Sequence, residues 1–470
     1  MSVYPTPKFF EYTNGQFQFE KKIICIVPKA FQSDEIFMEL WNNYTFGSCA
    51  IELKKQGEEQ QIMFGTFSDS FDIDGNEYGI SAKESGVLLK ANSAQGLLHA
   101  LFTFLQLIKP LCLEEGNEAF CIPCVKLFDT PAVNFRGTHL CIFPETKLSF
   151  LKKTVRLCCF LKYTHIVLEF WGMLQYDCMK ELAWENAYTK DEIKPILKEA
   201  TDMGVEIIPM FNHLGHATAS RSCYGKHVVL DQNPKKSLLF EPDGWTWCIS
   251  NPETRVLLKS VRDELIALCG NATYFHIGCD EAYSFATCDV CTSTDKIKLL
   301  ADYINEVADD LKLKGIRTIM WGDALLEHEQ WKSPYEATSR ADQGTHQILP
   351  ALRKDIIIDD WQYNIKSNDV QTIKHFKENG FDVLVSPFDD SANIKALAEA
   401  TIHFGAYGFL GTTWHTLHQH FGMLLFAAQN VWSGKPGVSN FYDTESAQLQ
   451  RKICPVNGAY DEAGWNEKQV

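Results

Sequence analysis

The segment Thr273–Glu281 reads TYFHIGCDE, an apolar run that ends in two adjacent acids. A short run of aromatic and β-branched residues is typical of a buried strand. Seven similar runs occur elsewhere after Pro131, and segments with helical periodicity, such as Pro252–Leu268, separate them. Strands that alternate with helices eight times favour a closed (β/α)8 TIM barrel. The predicted strands are Val133–Leu140, His165–Trp171, Val205–Asn212, Thr273–Glu281, Arg317–Leu325, Asp355–Tyr363, Asp382–Phe388 and Gly408–Trp414.

An open, doubly wound sheet is the alternative architecture, but it needs a Gly-rich phosphate turn after its first strand, and none follows Leu140. Polar and aromatic residues instead cluster where the predicted strands end. In a barrel the carboxyl ends of the strands carry the active site, whereas the opposite ends carry stability. We therefore expect a ligand site among these residues: Arg136, His139, Glu169, Trp171, Asn212, His213, His216, Asp280, Glu281, Trp321, Asp323, Trp361, Tyr363, Asp389, Trp414 and His415.

The first 128 residues have a different pattern. Short strand-like pieces, among them Lys22–Pro28 and Val87–Ala91, precede one strong amphipathic stretch, Ala94–Ile108. This order predicts a small α+β domain over residues 1–128, with a helix packed on a sheet. The turn-rich segment Cys121–Pro131 is the expected junction, and residues 129–470 would form the catalytic barrel.

Composition and charge exclude some partners. The chain of 470 residues is 45% hydrophobic and 22% charged, with a formal net charge of −16. A nucleic-acid partner would require a basic face to replace phosphate counterions, so none is expected. No apolar run approaches the roughly 20 residues that cross a bilayer, so no membrane partner is expected either. The sequence leaves the oligomeric state open, a homodimer included.

The cellular location follows from the first residues and the cysteines. Met1–Phe19 lacks the apolar core of a secretory signal, and most of the 16 cysteines lie within apolar stretches. Buried thiols of this kind favour a reducing compartment over a disulfide framework. We expect a cytoplasmic protein, or a secreted one whose signal segment has been removed.

The acid pair Asp280-Glu281 is the sharpest chemical signal. Successive side chains of a regular strand face opposite sides, so both acids can enter the barrel mouth only where the backbone breaks. There the two carboxyl groups can have different environments and different pKa values. One acid, kept protonated, can donate to a leaving oxygen, while its ionised neighbour stabilises positive charge.

The motif His276-Ile277-Gly278-Cys279-Asp280-Glu281 resembles the His/Asn-x-Gly-x-Asp-Glu signature of glycoside hydrolase family 20, the β-N-acetylhexosaminidases. The resemblance extends to Arg136-Gly137 on the first strand and to Asn-His-Leu-Gly-His at residues 212–216. It also covers the small α+β domain, from Glu77-Tyr78-Gly79-Ile80 onward. The layout is similar to the smaller, hexosaminidase D-like branch of the family.

The resemblance implies a retaining exo-hydrolase of terminal β-linked GlcNAc or GalNAc, in which the sugar's 2-acetamido oxygen is the nucleophile. N-acetylhexosamine-terminated glycans would be the partners, and no cofactor would be required. Glu281 would be the general acid and base, Asp280 would orient the acetamido group, and Tyr363 would hold its oxygen. The substrate-binding set would be Arg136, Glu169, His216, Trp321, Asp323, Trp361 and Trp414.

The Cys288-Asp289-Val290-Cys291 stretch has the Cys-x2-Cys spacing of zinc sites, which need two further ligands. Cys223 and His227, in the loop after the third predicted strand, would be adjacent in a barrel and could complete the site. Reduced thiols without metal are the alternative. The sequence thus offers a candidate structural zinc site that would hold two substrate-facing loops.

Two other functional classes fit the fold. A carbohydrate-binding protein that has lost its activity would keep the aromatic walls, although the intact Asp280-Glu281 pair argues against it. A metal-dependent amidohydrolase would need a His-x-His pair on the first strand, where this chain has Arg136-Gly137-Thr138-His139. Hydrolysis of N-acetyl sugars would distinguish a hexosaminidase from a carbohydrate-binding protein, and metal-dependent activity would identify an amidohydrolase.

Overall fold

The computed structural model describes residues 3–57, 60–66, 71–112, 118–218, 226–414, 417, 420–434 and 442–454. An eight-stranded sheet and two helices come first. The elements are β1 Phe9–Phe19, β2 Lys22–Val27, α1 Asp34–Tyr44, β3 Ala50–Lys55, β4 Gln61–Gly65, β5 Tyr78–Lys83, β6 Gly86–Ala91, α2 Ala94–Leu107, β7 Lys109–Cys112 and β8 Ala119–Asp129. The strands lie in the order β1-β8-β5-β6-β4-β2-β3, and β7 pairs with β8.

Helix α2 joins this sheet to the rest of the molecule. The Ser93 hydroxyl caps it by accepting from the Gly96 amide, as expected of an N-cap serine. Every residue from Gly96 to Leu107 is buried: β5 and β6 contact the helix, and Phe102 packs on Phe160 of the barrel helix that follows the first barrel strand. A helix that is apolar all round is stable only when enclosed in this way. The predicted α+β unit with a packed helix is therefore present.

The second part is a closed barrel of eight parallel strands, as the alternation predicted, and the open-sheet alternative is wrong. All eight predicted strands are present within a few residues of their expected bounds. The elements are β9 Phe135–Ile142, α3 Leu148–Phe160, β10 His165–Phe170, α4 Lys190–Asp202, β11 Glu206–Met210, α5 Val229–Gln232, α6 Pro252–Cys269, β12 Tyr274–His276, α7 Lys296–Leu313, β13 Arg317–Trp321, β14 Ile357–Trp361, α8 Gln371–Glu378, β15 Asp382–Ser386, α9 Ser391–His403, β16 Gly408–Gly411, α10 Phe421–Ser433 and α11 Asp443–Ile453.

Large apolar side chains fill the barrel interior. Phe135, Ile208, Ile319 and Leu384 belong to one inner cluster, which the surrounding helices do not share. At the amino end, His165 stacks on Phe135 with ring centroids 3.9 Å apart. The interior is thus a packed core that supports a site at the carboxyl end. Among the described residues no helix combines the length and the apolarity that crossing a membrane requires.

Candidate active site

The acid pair lies where the backbone leaves strand β12. The strand ends at His276, and Gly278, Cys279 and Glu281 then adopt φ values of 64°, 74° and 44°. These left-handed conformations are uncommon for residues with a side chain and interrupt the alternation of the strand. The break allows the adjacent Asp280 and Glu281 side chains to line the same cavity. The conformation that the sequence requires for two neighbouring acids is present.

Two glycines permit this turn. A Cβ on Gly278 would lie 2.5 Å from the Asn212 side chain, and a Cβ on Gly215 would lie 2.2 Å from the Asp280 carbonyl oxygen. Only glycine leaves room for such close approach. The Asn212 amide in turn donates to the Asp280 carboxylate, while its carbonyl oxygen accepts from the Cys279 amide at 3.0 Å. The loops after β11 and β12 therefore hold each other in place.

His216 bridges the two acids. Its Nε2 lies 3.2 Å from the Asp280 carboxylate and 3.1 Å from that of Glu281. Burial favours the neutral imidazole, but the neighbouring acids, Asp280 first, outweigh it and raise the pKa of His216 to about 8. Burial raises the pKa of Asp280, but the positive charges of Lys226 and His216 outweigh this effect and hold the pKa below its usual range. Asp280 is thus ionised at neutral pH.

Asp323 holds the backbone of the turn that carries Asp280 and Glu281. Its carboxylate accepts from the Glu281 amide at 3.0 Å, from the Thr338 hydroxyl at 2.6 Å and from the Trp361 indole at 3.1 Å. Burial and the charge of Asp280 raise the pKa of Asp323 to about 7. Asp323 lies beneath the cavity, where it orients Glu281 and Trp361.

Aromatic rings surround the acids. The Trp414 indole donates to the Tyr363 hydroxyl at 2.7 Å, which fixes both rings, and Trp361 packs 4.9 Å from Tyr363. Trp321 was expected on the wall but is fully buried below it, 6.0 Å from Trp414. The cavity has a volume of about 220 Å³ and is lined by Trp171, His216, Asp280, Glu281, Trp361, Tyr363 and Trp414. Six of these seven residues were in the predicted catalytic and substrate-binding set, and Trp171 was only in the wider set of strand-end residues.

Lys226 is a site residue that sequence reasoning missed. Its ammonium group is fully buried, donates to Glu169 at 2.8 Å and lies 5.2 Å from the centre of the Trp414 ring. Glu169 also accepts from the Trp171 indole at 3.0 Å. Burial raises the pKa of Glu169, but the charge of Lys226 and the hydrogen bond with His139 outweigh it, with a net fall to about 2. A charged pair therefore lies directly behind the aromatic wall.

This pair bears on the amidohydrolase alternative. His139, Cys141 and Glu169 have ligand atoms close enough together to hold a metal ion. Lys226 already supplies a positive charge to Glu169 at this position, and burial lowers the pKa of His139 below its ordinary value. The first strand thus contributes a neutral imidazole to an ion-pair network, an arrangement that does not need a metal.

The predicted role of Arg136 is wrong, because the residue lies at the opposite end of the barrel. Arg136 is the second residue of β9, and its guanidinium donates to the backbone carbonyls of Lys162 and Val133 at 2.9 and 2.8 Å. It also lies 4.7 Å from the centre of the Trp432 ring. The side chain is 3% exposed and holds the junction between the barrel and the N-terminal sheet.

The predicted zinc ligands are only partly brought together. Cys288 and Cys291 lie in one cluster, but Cys223 lies outside the described residues. His227 does not take part in the cluster, because its ring stacks on Phe211 with centroids 4.2 Å apart. The other two members of the cluster are Glu241 and Cys248, which have no sequence spacing to mark them.

A (β/α)8 barrel with an acid pair, a bridging histidine and aromatic walls at its carboxyl end defines a glycoside-hydrolase-like architecture. Comparison with protein families agrees: residues 166–400 match glycosyl hydrolase family 20, catalytic domain, and residues 1–129 match glycosyl hydrolase family 20, domain 2. The chain belongs to glycosyl hydrolase family 20.

Characterised relatives are distant. A beta-hexosaminidase of Porphyromonas gingivalis is 24% identical over 310 residues, which are 60% of this chain and 39% of that protein. Hexosaminidase D of Bos taurus is 27% identical over 190 residues, 38% of this chain and 53% of that protein. The chain thus spans about two fifths to one half of the length of these two relatives. The GH20 exo β-N-acetylglucosaminidase structure from Vibrio harveyi matches with a TM-score of 0.71 at 17% identity, over 97% of this chain and 78% of that one.

Proposed function

We propose that the protein is a retaining exo-β-N-acetylhexosaminidase that removes terminal β-linked GlcNAc or GalNAc by substrate-assisted catalysis. The observation that carries the proposal is the placement of Asp280 and Glu281. Both carboxylates lie within 3.2 Å of the same His216 nitrogen, on one side of a cavity with aromatic walls. Family membership and the beta-hexosaminidase relatives support the same activity.

The geometry favours a nucleophile that comes from the substrate. An ordinary glycosidase places its two carboxyl groups on either side of the scissile bond, about 5 Å apart or more. Asp280 and Glu281 are adjacent in the chain and approach the ligand from the same turn. In the proposed complex Glu281 would protonate the glycosidic oxygen, and Asp280 would reach the acetamido group and not the anomeric carbon. The 2-acetamido oxygen of the sugar would make that attack and form an oxazolinium ion.

The remaining residues have matching tasks. Glu281 would donate a proton to the leaving oxygen and then activate water. Ionised Asp280 would accept from the acetamido N–H and stabilise the developing positive charge, and the Tyr363 hydroxyl would donate to the acetamido oxygen. Trp361 and Trp414 would enclose the acetamido methyl and the apolar sugar face. A cavity of about 220 Å³ suits one terminal sugar better than a long chain.

The test compares hydrolysis of p-nitrophenyl β-GlcNAc, β-GalNAc and β-glucoside by the wild type, Glu281→Gln and Asp280→Asn. We expect cleavage of at least one N-acetyl sugar but not of the glucoside, with kcat/KM at least ~100-fold lower in both variants. Glu336→Gln is the matched control, because Glu336 is a half-buried carboxylate at the same barrel end that does not line the cavity. Equal cleavage of the glucoside would refute the acetamido mechanism.

The stereochemistry gives an independent check. Substrate-assisted attack predicts that the β-anomer is the first product, which proton NMR resolves within the first minutes of the reaction. A thiazoline analogue of the oxazolinium ion should inhibit the wild type and protect it against heat. A protein that binds GlcNAc without hydrolysing any of the three substrates would instead fit the carbohydrate-binding alternative.

A further inference from the structure

We infer that Glu241, Cys248, Cys288 and Cys291 bind a structural Zn²⁺ ion, which ties the loop that carries Asp280 and Glu281 to the loop that precedes α6. Their ligand atoms all lie within 4.8 Å of one another. The four residues, called here the thiol cluster, come from two loops. Glu241 and Cys248 precede α6, and Cys288 and Cys291 lie between the acid pair and α7.

The sulfur distances fit a tetrahedral metal site. Cys248 Sγ lies 3.7 Å from Cys288 Sγ and 3.8 Å from Cys291 Sγ. Ligands about 2.3 Å from a tetrahedral Zn²⁺ are roughly 3.8 Å apart, whereas the sulfurs of a disulfide are about 2.05 Å apart. Glu241 Oε1 lies 3.3 Å from Cys291 Sγ and completes the group with a harder donor, which zinc also accepts. The side chains are thus spaced as metal ligands and not as a bonded pair.

The charge and hydrogen bonding of the cluster point to a cation. Glu241 is 1% exposed, and no ion pair joins it to a basic side chain within the described part of the chain. A buried carboxylate without a counter-ion is costly. The Cys291 amide points at Cys288 Sγ at 3.4 Å, and the amide of Cys288 donates to Glu241 Oε2 at 2.7 Å. Amide groups thus already orient two of the four ligands, as outer contacts do around bound metals.

The position of the cluster gives the ion a task. The loop that contains Cys248 also contains Trp245, whose indole donates to the Glu281 carbonyl at 2.7 Å. The same loop contains Thr246, whose hydroxyl accepts from the Ser284 hydroxyl at 2.9 Å. A metal bound behind these contacts would fix the distance between the two loops. The ion would position Glu281 through its backbone and take no part in the reaction.

Elemental analysis of full-length protein purified without chelator tests the site directly. We expect about one zinc per chain in the wild type and less than about 0.2 in Cys248→Ala and Cys288→Ala. Cys158→Ala is the control, since Cys158 is buried like Cys248 but lies in α3, outside the cluster, so this variant should retain its zinc. Removal of the metal should lower Tm by roughly 5 °C.

A second measurement does not depend on the folding of any variant. Wild-type protein stripped of metal and loaded with Co²⁺ should show the strong ultraviolet absorption of thiolate-to-cobalt charge transfer. A wild type that carries no zinc, and that gains neither zinc nor this absorption on reconstitution under reducing conditions, would overturn the inference. Both experiments measure metal binding, so their results do not depend on whether the protein hydrolyses N-acetyl sugars.

Discussion

The barrel buries a lysine against a carboxylate at each of its ends, and the two pairs have closely similar surroundings. At the carboxyl end Lys226 lies 2.8 Å from Glu169, with the rings of Trp171 and Trp414 beside it. At the amino end Lys162 lies 3.4 Å from Asp129, with the rings of Tyr78 and Trp432 beside it. Local composition alone does not distinguish the two pairs.

Their electrostatics differ because their wider surroundings differ. Burial lowers the pKa of both lysines, but at Lys226 the charges of Glu169 and Asp280 outweigh it and raise the pKa. At Lys162 burial prevails over Asp129 and lowers the pKa to about 8. Lys226 lies behind the aromatic wall, close enough to the ionised Asp280 to feel its charge, whereas Lys162 lies in the buried junction with the N-terminal sheet. We therefore expect the Lys226–Glu169 pair to support the proposed chemistry and the Lys162–Asp129 pair to support the fold.

Replacing each lysine by methionine separates these roles and should give the largest effect. Lys226→Met leaves Glu169 buried without its partner and removes a positive charge near Asp280. We expect a loss of about 3–5 kcal/mol in the free energy of unfolding and at least ~100-fold in kcat/KM. Lys162→Met should lose a comparable free energy of unfolding, while the kcat/KM of the folded protein falls less than about twofold. Urea unfolding measures the stability of each variant, and p-nitrophenyl β-GlcNAc hydrolysis measures its kcat/KM. Equal losses of kcat/KM in the two variants would contradict the different roles of the two lysines.

Arg136→Leu tests the assignment of that arginine to the amino end. The change leaves the backbone carbonyls of Lys162 and Val133 without a donor, so we expect a loss of about 2–4 kcal/mol of stability. Activity of the folded protein should stay within about twofold. The control is Arg255→Leu, at a half-buried arginine that pairs with the exposed Glu306 and donates to the Ile249 carbonyl, with an expected loss of about 1 kcal/mol. A 100-fold rise in KM with an unchanged Tm would return Arg136 to the substrate site.

The difference between the ends also explains what the sequence could predict. Strand periodicity is a local property, so all eight barrel strands were found, and the residues after each strand could be assigned to one edge. The position of Arg136 was wrong because a run from Val133 to Leu140 does not say which of its polar residues lies at the start of the strand. In the structure β9 begins at Phe135, which places Arg136 at the amino end.

Other site residues depend on contacts that are distant in sequence. The sequence around Lys226 has no motif, and the partner that accompanies its burial is Glu169, 57 residues earlier. Glu241 and Cys248 likewise join Cys288 and Cys291 only through folding, although the Cys-x2-Cys pair was visible. The two remaining metal ligands were sought in the right connection, the one between β11 and α6. Cys223 and His227 were chosen there, whereas the cluster contains Glu241 and Cys248.

A pH profile compares two histidines, one at each end. The pKa of His216 is raised to about 8, whereas burial lowers that of His165 to about 3. Protonated His216 therefore stabilises the fold fully at pH values below about 6.5, the ordinary pKa of histidine. This contribution to stability is lost as the pH rises through about 8. We expect kcat/KM to fall over the same range as Asp280 and Glu281 lose their positive neighbour. In His216→Gln the alkaline fall should disappear, with about tenfold lower activity at pH 7, while His165→Gln should keep the wild-type profile.

The smallest expected effect compares two tyrosine hydroxyls. Tyr283 donates to Glu281 Oε1 at 2.6 Å at the mouth of the cavity, and Tyr274 shares a 2.5 Å hydrogen bond with Tyr407 at the amino end. Tyr283→Phe removes one donor from the proposed general acid, whose other carboxylate oxygen still faces His216. We expect a fall in kcat of about threefold with an unchanged Tm. Tyr274→Phe should do the reverse, costing about 1 kcal/mol of stability and leaving kcat unchanged. If Tyr274→Phe also lowered kcat, the amino end could not be a purely structural support, and the barrel would transmit strain between its ends.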